Sequence, residues 1–111
     1  MLVWWGTSVE CASAVARLER ESALSSAEAR QSLQRLQALR SAWQEVQPLE
    51  ESREIAMRFL RVHNLKAGDS LQLAAAFLAA ERRPASLELV CLDARLRDAA
   101  GREGFPLLPT H

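Results

Sequence analysis

Three carboxylates stand where the chain passes from one element to the next. Glu10 follows the apolar run Leu2–Trp5, Asp93 follows the run Leu87–Leu92, and Asp69 comes after Gly68 at the head of a long Ala/Leu-rich stretch. Each is placed to open a helix. The N-terminal end of a helix carries partial positive charge, which favours an ionised carboxylate. Ionised oxygens gathered without neutralising Lys or Arg suit a hard divalent cation, Mg2+ or Mn2+. Such an ion activates water and stabilises the charge that develops on a phosphodiester under attack. The plainer explanation is that each acid caps its own helix by accepting from free backbone N–H groups. Capping accounts for each acid singly, but not for their joint placement.

The elements that must position these acids follow from the apolar pattern. Met1–Gly6 reads as a buried parallel strand cut off by Gly6. Thr7 and Glu10 have capping-box spacing before a helix through Cys11–Arg20, and Ser25 with Glu28 opens a second helix to about Trp43. Gln44–Leu49 is a short edge strand, and Glu50–His63 a helix closed by Asn64 in a left-handed cap. Asp69 to about Arg83 is the central helix, stopped by Pro84, with Asp69, Gln72, Leu73, Ala76 and Ala80 on one face. A strand over Ser86–Leu92, a helix over Ala94–Arg102 stopped by Gly104, and an edge strand Phe105–Pro109 complete the chain. Strands alternating with helices predict an α/β three-layer sandwich on a mainly parallel sheet. In such a sheet the carboxyl ends of the strands share one edge, where ligands bind, so Glu10 and Asp93 fall there together.

Composition narrows the classes. With 111 residues the chain is long enough for one domain, and 49% hydrophobic against 25% charged residues is a globular balance. Lys plus Arg equals Asp plus Glu at 14 each, so bulk charge gives no evidence for a nucleic-acid partner. Cys11 and Cys91 have no metal-type spacing and read as reduced core residues of a cytoplasmic protein. No apolar run approaches the roughly 18–20 residues of a membrane span. His63 and His111 have no nucleophile or metal-ligand spacing nearby, and no Gly-rich phosphate loop is present. Trp4 and Trp5 read as core. Lys66, Arg95 and Arg97 lie beside the acids in sequence and are the candidates for holding RNA phosphates.

Val9-Glu10, then Ala67-Gly68-Asp69-Ser70-Leu71-Gln72-Leu73-Ala74, then Val90-Cys91-Leu92-Asp93-Ala94-Arg95-Leu96 resemble the successive motifs of the PIN domain. More narrowly they resemble VapC-type toxin ribonucleases of bacterial toxin–antitoxin pairs, and Arg102-Glu103-Gly104-Phe105 with Leu107-Leu108-Pro109 fits the family's closing segment. The resemblance covers the whole chain as a single PIN-like domain. It implies a Mg2+-dependent endoribonuclease (Mn2+ as the alternative cation), with Glu10, Asp69 and Asp93 as metal-site acids. It also implies RNA as substrate, a homodimer, and a cognate antitoxin whose tail occupies the active-site groove.

Two departures qualify that expectation. The family begins with a strand ending in Asp-x-Ser or Asp-Thr-Ser, whose Asp is the first metal ligand, and this chain starts at what resembles the second strand. That strand lies in the family between those matching 2–5 and 87–92, so the chain is expected to be a truncated copy or one with a misplaced start, and crippled as an enzyme. Cys91 also replaces the usual Thr or Ser. The alternative function is a non-catalytic remnant that binds an antitoxin or dimerises. A third possibility is a domain whose acids only cap helices.

Overall fold

The structure is a computed structural model and describes residues 1–110. Its elements run β1 (Leu2–Trp4), α1 (Thr7–Arg20), α2 (Ser26–Arg40), β2 (Gln44–Val46), α3 (Glu50–Val62), α4 (Ala67–Ala79), a 3-10 turn (Pro84–Ser86), β3 (Leu89–Val90), α5 (Ala94–Glu103) and β4 (Leu107–Leu108). They fall into two compact units, Met1–Glu45 and the chain from Val46 onward.

In the first unit α1 packs on α2, and β1 is paired with β2. The Ser25–Glu28 capping box forms as expected: Glu28 N–H donates to Ser25 Oγ at 3.1 Å and Ser25 N–H to Glu28 Oε1 at 2.9 Å. Thr7 is not the cap residue that the expected box of Thr7 and Glu10 requires. The helix begins at Thr7 itself, with Gly6 at the cap, so Thr7 is already inside the first turn. Gly6 is needed for space, because a Cβ there would lie 2.5 Å from the Trp4 indole nitrogen. Trp4 is buried, but Trp5 remains 48% exposed, so only the first of the two belongs to the core.

In the second unit α4 packs against α3 and α5, and α5 covers β4. Ile55, Phe59, Leu73, Ala74, Leu96, Ala100 and Phe105 belong to its buried core. Phe59 and Phe77 meet edge to face with ring centroids 5.8 Å apart. Ser70 is fully buried and donates to the Ala56 carbonyl, fastening the start of α4 to α3 where no side chain caps α4. Helix α3 ends at Val62 with His63 extended as its cap, in place of the expected left-handed Asn64. Helix α4 begins two residues before Asp69, running through Gly68, and its first turn is entered from Lys66. Glycine permits a helix as well as a turn, and here the packing of α4 on α3 favours the helix.

The expected three-layer sandwich on a mainly parallel sheet is overturned. The described residues form five α-helices and two separate two-stranded sheets, β1–β2 and β3–β4. Sequence features shorten each strand of the second sheet. Pro84–Ser86 turns as a 3-10 helix and removes the start of the expected strand 86–92. Pro106 and Pro109 flank β4 and have no N–H to extend a ladder. What remains of that ladder is the parallel pairing Leu89↔Leu107 and Val90↔Leu108. Two-residue strands cannot support layers of helices on both faces. No helix among the described residues is long and apolar enough to cross a membrane.

Candidate functional site

Asp69 and Asp93 are brought together at the N-terminal ends of α4 and α5. Asp69 sits in the first turn of α4 and is partly buried; it accepts no hydrogen bond and joins no salt bridge among the described residues. Burial pushes its carboxyl above the ordinary carboxylate range, and the negative charge of Asp93 adds to that rise. The charges of Lys66 and Arg95 pull in the opposite direction. Lys66 and Arg95 thus act on Asp69, so this carboxylate is not without neighbouring cations. Its first-turn position is outweighed by desolvation and by the second carboxylate.

Asp93 is the N-cap of α5. Its Oδ1 accepts from Leu96 N–H at 2.9 Å, as the capping explanation requires. Its Oδ2 accepts no hydrogen bond among the described residues, so one carboxylate can cap a helix and still present an oxygen outward.

Glu10 lies in the first unit, exposed in the first turn of α1, and its N–H donates to the Gly6 carbonyl at 3.1 Å. Asp69 and Asp93 belong to the second unit.

The cation candidates divide. Lys66 and Arg95 are exposed and act on Asp69 through their charge. Arg97 directs both terminal nitrogens at main-chain oxygens: Nη1 donates to the Cys91 carbonyl at 2.8 Å and Nη2 to the Pro109 carbonyl at 2.7 Å. Cys91 is buried, and that burial pushes its thiol up and keeps it neutral.

Sequence spacing missed two further polar contacts. Buried Ser70 holds α4 to α3, fourteen positions from its partner Ala56. His63 is buried against Glu103, forty positions along the chain, which no local pattern connects.

The residues present fit a hard cation in one respect. Two carboxylates close enough for the charge of Asp93 to act on Asp69 form a donor pair that a dication would neutralise. Among the described residues, no group of three or more His, Cys, Asp or Glu side chains is arranged to hold a metal ion. Comparison with models of protein families, with curated proteins and with solved structures finds no match.

Proposed function

We propose that Asp69 and Asp93 form a Mg2+- or Mn2+-binding site for cleavage of RNA phosphodiesters, in the manner of the VapC-type PIN ribonucleases whose motifs the sequence resembles. The observation that carries this reading is that two carboxylates from separate helix starts come within one another's reach, the Asp93 charge adding to the rise that burial imposes on Asp69, at the two aspartates those motifs contain. Bound there, the cation supplies an activated water and charge stabilisation. The chain's own groups do the rest. Asp69 and the free oxygen of Asp93 are the ligands, and exposed Lys66 and Arg95 draw a phosphate toward them. A cognate antitoxin and a second copy of the chain are the partners this reading carries from the resemblance. Glu10 enters it only through the same resemblance.

A second reading is favoured by the 2.9 Å bond from Leu96 N–H to Asp93: the acids are structural, and the chain binds a partner without catalysis. Asparagine separates the two, because it caps a helix nearly as well as aspartate but is a poor ligand for a hard cation. Titrating the chain with Mn2+ by electron paramagnetic resonance should show saturable binding that Asp69→Asn and Asp93→Asn each abolish. Mg2+-dependent cleavage of a mixed RNA substrate, if present in the parent, should be lost in the same variants. Mn2+ binding equal in the parent and both variants would falsify the site.

A further inference from the structure

We propose that Arg97 is the positioning residue of the Asp69–Asp93 site: its guanidinium fixes the Cys91–Asp93 segment so that the Asp93 carboxylate faces Asp69. The proposal rests on reading the two aspartates as a cation site, but the placement of Asp93 can be tested separately.

The geometry is a closed ring of contacts. Strand β3 ends at Val90, and the last ladder bond is Cys91 N–H to the Leu108 carbonyl at 3.0 Å. Three residues then lead to α5. Burial does little to hold the outer side of this segment, since Val90 is 70% and Leu92 84% exposed. The Arg97 side chain grips its start, Nη1 donating to the Cys91 carbonyl at 2.8 Å. At its other end the Asp93 carbonyl accepts the first helical bond of α5, from the Arg97 backbone N–H at 2.9 Å, which any residue at that position would make. The other arm of the fork, Nη2, reaches Pro109 just past β4. The side chain thus continues the pairing of the two strands one step beyond the point where their backbones stop.

Only arginine has the planar fork to serve two carbonyls at once, and a charged donor strengthens both bonds. Lysine offers a single ammonium and can replace one arm. The effect of removing the fork falls on Asp93, the next turning point of the chain. The fork does not touch the Asp93 carboxylate, so its loss acts through the backbone of this segment and should weaken Mn2+ affinity at the low end of the roughly 10–100-fold that loss of a direct outer partner typically costs.

The test compares Arg97→Ala and Arg97→Lys with the parent. Two quantities are read: exchange of the Leu96 amide, which donates to Asp93, and Mn2+ affinity by electron paramagnetic resonance. In Arg97→Ala the Leu96 amide should exchange about tenfold faster and Mn2+ should bind about tenfold more weakly. Amides within α4 should keep their parental exchange. Arg97→Lys should fall between the two, and it decides the matter if Arg97→Ala does not fold. Parental Leu96 exchange in the folded variant overturns the proposal. Faster exchange with parental Mn2+ affinity also overturns it, because Asp93 would then not need its fixed position to bind. If the parent binds no Mn2+ while Leu96 exchange still accelerates, the cation reading fails and the positioning of Asp93 by Arg97 stands.

Discussion

His63 Nε2 lies 2.7 Å from Glu103 Oε2, joining the end of α3 to the last residue of α5. The imidazole is only 4% exposed, and its ring tilts against Phe59 with centroids 5.8 Å apart. A buried polar group that loses its partner carries its desolvation cost uncompensated. Glu103→Ala should therefore destabilise the chain by about 1–3 kcal/mol. Glu103→Gln, which keeps a hydrogen-bonding oxygen, should cost less. Urea unfolding of the three proteins at neutral pH checks the order; equal midpoints for Ala and parent would show that the contact adds nothing.

Asp69 makes stability depend on pH in a defined direction. Its carboxyl is raised in the folded state by burial and by Asp93, so the folded chain holds the proton more tightly than the unfolded chain does. Stability from this group is fully present below the ordinary carboxylate value and is lost as pH rises through the raised one. Asp69→Asn cannot ionise and should not show that loss. Relative to the parent, the Asn variant should gain stability between pH 3 and pH 7, read as the difference of urea midpoints. A difference that is constant or shrinks with pH contradicts the electrostatic account.

Ser70 carries a different kind of load. Fully buried, it donates to the Ala56 carbonyl across the α3–α4 contact. Ser70→Ala removes one buried hydrogen bond while leaving a residue of nearly equal size, so about 0.5–1.5 kcal/mol should be lost. Leu73→Ala, one turn along the same helix and equally buried, should cost more, about 2–5 kcal/mol, because it opens a cavity as well. Thermal or urea denaturation that ranks Ser70→Ala above Leu73→Ala would reverse the assignment of what holds α4.

Gly104 ends α5 at φ +102°, a conformation side chains rarely adopt. Space is not the obstacle, since a Cβ there would meet Pro84 Cβ at an ordinary 3.7 Å. Gly104→Ala should then destabilise by about 1–2 kcal/mol through backbone strain alone. Gly101→Ala provides the contrast. It lies inside α5 with its nearest contact at 3.6 Å, so it should be neutral or stabilising. The pair of melting temperatures tests the distinction between conformation and room.

The sequence by itself determined what depends on neighbours in the chain. Helical periodicity located the five helices to within a few residues, Ser25 and Glu28 announced their box, Asp93 its helix start, and Gly104 a helix stop. These features involve groups three or four residues apart, so the signal and its structure lie in the same short window. Helix α4 starts two residues before the position the sequence predicts, because Gly68 and Asp69 are ambiguous locally and the buried bond from Ser70 to Ala56 is not local. Only the tertiary structure decided the sheets. Apolar runs at 1–6 and 86–92 have the composition of central strands. Whether a run becomes one depends on a partner of matching length elsewhere in the chain, and prolines at 84, 106 and 109 reduced the second pair to two residues a strand. The same holds at the candidate site. Sequence order placed Asp69 and Asp93 at helix starts, but packing of α4 against α5 put one carboxylate within the field of the other. Packing likewise aimed Arg97 at two backbone carbonyls rather than at solvent, because those oxygens come together only when β3 and β4 pair.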